Sequence, residues 1–310
     1  MARRIIIVGS VSTDLVATVD HFPAPDETVI GRSFGTFGGG KGANQAMAAA
    51  RLGAPVMLVG AVGADAYGDE RLADLASAGV EIAAVARVSG VPSGIALIQV
   101  NADAENTITI VPGANGTVTA ERVEQVLPGA LRPGDVLCCQ TELPLGTIAQ
   151  ALEIAGRAGA LRVLNAAPVS ARVRDLVPQA DILIVNEVEA ADLAGLPDVG
   201  TESAGRVAGE LAGLGPSVVI ITLGVAGAYV QSPEFAELVA SPPVLVVDTT
   251  GAGDAFIGAL LTWIAEGWPL DQALRAGVAA GALAVRTPGA QAFLPTREAL
   301  TTFLLRLPGR

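Results

Sequence analysis

Short, mostly apolar runs of strand length recur along the chain at residues 5–8, 56–60, 136–139, 162–164, 182–185, 218–222 and 244–247. Between them lie Ala-rich stretches with helical spacing, among them 42–52, 68–78, 145–158 and 202–214. Runs that are apolar at consecutive positions belong to strands covered on both faces. Their alternation with helices predicts an α/β fold, a three-layer, mostly parallel sheet flanked by helices. Ligands of such sheets sit beyond the carboxyl ends of the strands. One region breaks the rhythm. Residues 80–111 lack a helical pattern, and 94–100 and 106–111 read as paired strands joined by the turn Asn101-Ala102-Asp103-Ala104-Glu105. This β insertion is either a lid over a cleft or a plain extension of the sheet.

Composition narrows the class. The 310 residues are 51% hydrophobic but only 4% aromatic, so the core is built from Ala, Val, Leu and Ile. Mean hydropathy is +0.53. Even so, the apolar run 276–285 is bounded by Arg275 and Arg286, well short of the ~20 residues that cross a bilayer, and reads as a buried helix. The net charge of −12 makes nucleic acid an unsuitable partner, and any anionic substrate must be held by local donors. The basic start Met1-Ala2-Arg3-Arg4 precedes only four apolar residues before Gly9-Ser10 and Asp14. It reads as a first strand and turn rather than a signal peptide, and a cytoplasmic location is expected. Cys138 and Cys139 are adjacent in an apolar run, the pattern of buried thiols in a reducing compartment. His21 is the only histidine, which excludes His-rich zinc sites and weakens any Ser-His-Asp or Cys-His scheme.

Two glycine-rich loops carry the candidate chemistry. In Asp248-Thr249-Thr250-Gly251-Ala252-Gly253-Asp254 the chain is expected to pass from the strand at 244–247 into a buried helix beginning near Ala255. Glycines at a helix start let successive N–H groups point at one anion. Asp254 in the first turn sits where the positive helix end favours a carboxylate. A cradle for moving negative charge beside a proton acceptor suits phosphoryl transfer to an alcohol. The plainer alternative is a helix-capping acid in an ordinary turn. The second loop, Gly38-Gly39-Gly40-Lys41-Gly42-Ala43-Asn44-Gln45, opens the helix at 42–52. It nearly matches a P-loop, but Gly42 stands where a Ser or Thr should hold magnesium, and no strand is expected directly before it. The Rossmann pattern fails as well, because Asp254-Ala255-Phe256 follows Gly251-Ala252-Gly253.

The segment Gly39-Gly40-Lys41-Gly42-Ala43-Asn44-Gln45-Ala46, followed far along the chain by residues 248–254, resembles the two signatures of the ribokinase family of carbohydrate kinases. Gly9-Ser10 with Asp14, Asn186 with Glu189, and Thr222-Leu223-Gly224 extend the resemblance over essentially the whole chain. It implies a ribokinase-like domain over residues 1–310, with a small β-sheet lid built from segments around 10–40 and 80–112. It implies ATP-dependent phosphorylation of a small sugar's primary hydroxyl. D-ribose is the favoured substrate; deoxyribose, fructose, a nucleoside, or a silent sugar-binding role on the same scaffold are the rivals.

Carried over by motif, Asp254 would be the base, and the amides of Gly251, Ala252 and Gly253 the anion hole. Asp14, Gly40, Lys41, Asn44 and Glu142 resemble sugar-holding positions. Asn186 and Glu189 resemble the pair that organises Mg2+ and the phosphates, although the residues alone favour an Asn cap with an acid in the first turn. Thr222, Gly224 and Gly277 resemble nucleotide contacts, with Val278 beside the adenine. A monovalent cation, K+, would take oxygens from Asp248, Thr250, Ala284 and Gly289. Phe293 departs from the family pattern there, since a small hydroxyl residue often contributes at that place. The family also implies a homodimer paired through lid strands.

Overall fold

The computed structural model describes residues 3–103, 105–286, 291 and 294–307. The chain opens with β1 (Ile5–Val8), β2 (Ser12–Thr18), β3 (Ser33–Gly39), α1 (Lys41–Arg51), β4 (Val56–Gly63) and α2 (Ala66–Ser77). The β insertion supplies β5 (Val85–Val88), β6 (Gly94–Val100) and β7 (Asn106–Val111). There follow α3 (Ala120–Ala130), β8 (Val136–Gln140), α4 (Leu145–Ala158), β9 (Leu161–Asn165), β10 (Ile182–Asn186), α5 (Glu187–Ala194) and α6 (Thr201–Ala212). The last part holds β11 (Val218–Thr222), β12 (Gly227–Gln231), β13 (Ala236–Ala240), α7 (Ala252–Ala265), α8 (Leu270–Ala284) and α9 (Arg297–Arg306).

Nine strands form one sheet in the order β13-β12-β11-β10-β9-β8-β1-β4-β5. Neighbours from β5 to β11 run parallel, and β12 and β13 add an antiparallel edge. The period-2 geometry of a strand explains why the central runs are apolar throughout. Ile5, Ile7 and Cys138 face one helical layer, with α1, α7 and α8, while Ile6, Val8 and Cys139 face the other, with α3, α4 and α6. Both cysteines are buried and free. Among the described residues, no helix is long and apolar enough to cross a membrane.

A second sheet of four strands, in the order β3-β2-β6-β7, leaves the first at two crossings. Between β1 and β2, Asn115 clamps the backbone of Val11: its Oδ1 accepts from Val11 N, and its Nδ2 donates to Val11 O, both at 2.9 Å. Before β6, Asp65 accepts from Ser93 N and from Ser93 Oγ, while also capping α2 through Gly68 N. The expected pair at 94–100 and 106–111 is present as antiparallel β6 and β7.

Three local expectations are corrected. Residues 244–247 form no strand: the segment is irregular, and Leu245 is 81% exposed. The segment follows Pro242 and Pro243, and Val247 N donates to Val285 O at the end of α8 rather than to a strand neighbour. Conversely, a strand does run directly into the second glycine loop. It is β3, which belongs to the small sheet. Asp14, expected at a turn, lies within β2.

Candidate active site

The site is built where β3 turns into α1. Gly40 makes this turn with φ +89°, and a side chain there would lie 2.8 Å from Ser12 N. Only glycine meets both conditions without strain. At the helix start, Lys41 N donates to Glu142 Oε2 at 2.9 Å, and Ser10 Oγ donates to the same oxygen. Glu142 thus caps α1 from the end of another strand. Gly42 lets the helix end press onto β1, since a Cβ there would come within 2.5 Å of the Gly9 carbonyl carbon.

The buried side of α1 presents Asn44 and Gln45 to α7. Asn44 Nδ2 donates to Asp254 Oδ2, and Gln45 Nε2 donates to Asp254 Oδ1, both at 2.9 Å. Gln291 Nε2 donates to Asn44 Oδ1 at 2.7 Å, which fixes the Asn44 amide with its nitrogen toward Asp254. Burial drives the Asp254 carboxyl above its ordinary range, while the Lys41 charge and the two amide donors work against that rise. Lys41 is itself buried, which would lower its pKa. The carboxylates of Asp254, Glu142 and Glu189 outweigh that effect and hold it high.

α7 begins at Gly251, whose φ of +76° is left-handed, and no side chain caps the helix. Ala252 N turns back to Thr249 O at 3.2 Å, and the rest of the first turn keeps amide donors and the positive helix end beside Asp254. The preceding loop is tied down locally. Asp248 Oδ1 accepts from Thr250 N at 2.9 Å, and Val247 N and Asp248 N both donate to Val285 O at the end of α8. Ala284, the last residue of α8, is adjacent. Gly289 and Phe293 lie outside the described residues.

Asp14 projects from β2 over Gly39, where an added side chain would collide with its carboxyl. Burial first, and then the charge of Glu142, push Asp14 up to about 6; Arg71 pulls the other way, and Asp254 adds a smaller upward push. The strand register places Phe37, Ala96 and Ile110 in the same row as Asp14, with Val16, Ile98 and Ile108 in the next row on that face. One carboxylate thus stands on an otherwise apolar surface.

On the far side, Asn186 and Glu189 form a reciprocal capping box. Asn186 Oδ1 accepts from Glu189 N, and Glu189 Oε2 accepts from Asn186 N, both at 2.8 Å. The capping reading of this pair is therefore realised in the fold, and one oxygen of each side chain is engaged by it. Burial raises the Glu189 carboxyl above its usual range. Thr222 closes β11 with its hydroxyl directed at Val185 O, and Gly224 follows at φ +51°. Gly277 packs on the α7–α8 seam, where a Cβ would meet the Phe256 ring at 3.0 Å, so helix packing alone accounts for this glycine. Among the described residues, no group of three or more His, Cys, Asp or Glu side chains is placed to hold a metal ion.

Residues 2–297 match the model of the pfkB family carbohydrate kinase. The chain belongs to this family. It is an ATP-dependent carbohydrate kinase of the pfkB family and is similar along its length to curated members. It is 36% identical to the ribokinase of Haemophilus influenzae, with 98% of this chain and 99% of the relative covered. It is 38% identical to that of Bacillus subtilis, over 97% and 99%. The fold matches the structure of Arabidopsis thaliana ribokinase complexed with ribose and ATP, with TM-score 0.88 and 30% identity over 98% of this chain and 99% of that one.

In this pfkB-family kinase the fold draws Asp254, Asn44, Lys41, Glu142, Asp14 and Glu189 into one electrostatic neighbourhood, from five separate stretches of sequence. Asp248, Thr250 and Ala284 gather apart from them, at the end of α8. Sequence reasoning missed the residues behind Asp254: Gln45, Gln140, Asn165 and Gln291. A signal existed for three of them. Gln45 interrupts an Ala-rich buried helix, and Gln140 and Asn165 each end a strand that is otherwise mostly apolar.

Proposed function

We propose that the chain transfers the γ-phosphoryl group of ATP to the primary hydroxyl of D-ribose, giving ribose 5-phosphate and ADP. The observation that carries this reading is the buried Asp254 carboxylate, held by two amides in the first turn of an uncapped helix, with Lys41 close enough to lower its pKa. Asp254 accepts the hydroxyl proton as the sugar oxygen attacks phosphorus. The amides of Gly251, Ala252 and Gly253 take up charge on the transferred group. Ribose hydroxyls are met by Asp14, Gly40, Lys41, Asn44 and Glu142, a mixed set of acceptors and donors suited to vicinal diols. The apolar row beside Asp14 receives the C–H face of the ring. The small sheet acts as a lid that excludes water, so ATP is not hydrolysed.

The nucleotide lies toward Asn186, Glu189, Thr222, Gly224 and Gly277. Mg2+ accompanies ATP and neutralises phosphate charge. Glu189, with one oxygen in its capping box, organises that ion through water. K+ fits the gathering of Asp248, Thr250 and Ala284 at the α8 C-terminus, where backbone carbonyls carry partial negative charge. Gly289 would complete that set. Two free buried cysteines and the absence of a membrane-crossing helix among the described residues agree with a cytoplasmic location. A second copy of the chain is the partner. It covers the row beyond that of Asp14 on the same face of the small sheet, Val16, Ile98 and the exposed Ile108.

The test is ADP release with ATP and Mg2+ against D-ribose, deoxyribose, fructose and nucleosides, with and without K+. D-ribose is expected to dominate, and Asp254→Asn to lose about 10³-fold or more in kcat while still binding the sugar. A preference for another compound reassigns the substrate. Silence across the panel, or an active Asp254→Asn, rejects the mechanism.

A further inference from the structure

Behind Asp254 lies a buried polar cluster with no part in the proposed chemistry. Gln45 is at its centre and is fully buried. Its Nε2 donates to Asp254 Oδ1 at 2.9 Å and to Asn165 Oδ1 at 3.1 Å. Its Oε1 accepts from Gln140 Nε2 at 2.5 Å and from Cys138 Sγ at 3.6 Å. Apart from Asn44, the other buried α1 side chains near it are Ala43, Ala46, Met47, Ala48 and Ala49. An amide in that company is costly unless every polar atom is matched, and here both ends are.

The amide has only one workable orientation. Asn165 Nδ2 donates to Ile184 O, so Asn165 turns its oxygen toward Gln45. The nitrogen of Gln45 therefore faces two acceptors, and its oxygen faces two donors. Flipping it alone would set oxygen against the Asp254 carboxylate and Asn165 Oδ1, and nitrogen against the Gln140 amide, whose own buried Oε1 has no hydrogen-bond partner among the described residues.

We propose that Gln45 is a positioning residue for phosphoryl transfer: with Asn44 it fixes the plane of the Asp254 carboxylate and keeps it a proton acceptor, while Gln140 locks the Gln45 amide in the orientation this requires. The inference rests on the reading of Asp254 as the base. Its physical reason is that an amide NH2 can only donate. A protonated Asp254 would have to direct its O–H past both amides, so the pair selects the ionised form. Each carboxylate oxygen still has a lone pair for the sugar hydroxyl. The other groups facing Asp254 are Lys41 on α1, Glu142 after β8, Asp14 on β2, Glu189 on α5 and the Cys138 thiol on β8. Burial holds that thiol at about 12, so it stays neutral. Lys41 is the one cation of the set, and it supplies charge without fixing the carboxylate plane.

The experiment compares kcat and sugar KM across pH for the wild type, Gln45→Leu and Asp254→Asn, with folding checked by thermal unfolding. Gln45→Leu is expected to lower kcat by about 10- to 100-fold, with sugar KM within about threefold. The acid limb of its kcat profile is expected to move up by about one pH unit, because a donor to the carboxylate has gone. An unmoved acid limb, or a change in KM alone, overturns the proposal. If Asp254→Asn is inactive while Gln45→Leu behaves as wild type, only the Gln45 role fails. If Asp254→Asn is active, the base assignment fails and the Gln45 role with it. Should Gln45→Leu not fold, Gln140→Met removes the lock and is expected to shift the same limb in the same direction by less. A profile identical to wild type then overturns the proposal.

Discussion

Burial raises both Asp14 and Asp254, yet the fold answers the two in different ways. Asp254 has amide donors on both oxygens and Lys41 beside it, whereas for Asp14 the opposing influence is the charge of Arg71. Asp14 moves from 3.8 to about 6, so between these values the native state binds more protons than the unfolded chain. Stability from this group therefore falls as pH rises through that window, and the penalty is fully present above about 6. Asp14→Asn is expected to stabilise the protein by about 1–2 kcal/mol at pH 8, with the gain gone near pH 4. Thermal unfolding at both pH values measures it, and a destabilised variant at pH 8 would contradict it. Calorimetry should show the same variant binding ribose more weakly, and wild-type affinity dropping on acidification through about 6. At this scale the motif residues were legible, because glycines and a first-turn acid declare their chemistry locally. The joining of Gln140 and Asn165 to one cluster was not, although each stood out as the polar end of an apolar strand. Their partner Gln45 lies 95 and 120 positions away in sequence, and strand order alone brings them to it.

Among the elements, the parallel core was readable because strands covered on both faces are apolar at nearly every position. The same rule misled at residues 244–247, an apolar run that lies outside the sheet. It missed β2, where Ser12, Thr13, Asp14 and Thr18 break the apolar run, and β3, whose exposed positions and glycines give none. It also missed β12 and β13, which form the antiparallel edge. The crossing from β1 to β2 depends on Asn115, which holds both backbone groups of Val11 and donates to Ser12 Oγ at 3.2 Å. Asn115→Ala leaves a buried N–H and C=O of Val11 without that partner. It is expected to cost about 2–3 kcal/mol, read as a lower urea midpoint. A midpoint equal to wild type would show that water replaces the amide.

For the molecule as a whole, the large sheet carries Asn186 and Thr222 and the small sheet carries Asp14. The apolar row of the small sheet that holds Val16, Ile98 and Ile108, the last 54% exposed, is the basis for the proposed homodimer. Sedimentation is expected to give a dimer for the wild type and a monomer for Ile108→Lys, since a buried unpaired lysine disrupts an apolar contact. A monomeric wild type removes that partner. The chain passes from the small sheet to the helix that holds Asp254 through Gly40 alone. One residue is therefore the full length of the chain linkage between the surface that would select a sugar and the amides of α1 that hold the Asp254 carboxylate on α7. Adding or deleting a residue there would turn the side chains of α1 by about 100°, carrying Asn44 and Gln45 away from Asp254. The connection between β2 and β3, mostly exposed over residues 20–32, is free of that constraint. New substrate preferences can arise there by changes in loop length, while the junction at Gly40 can change only at the cost of the reaction itself.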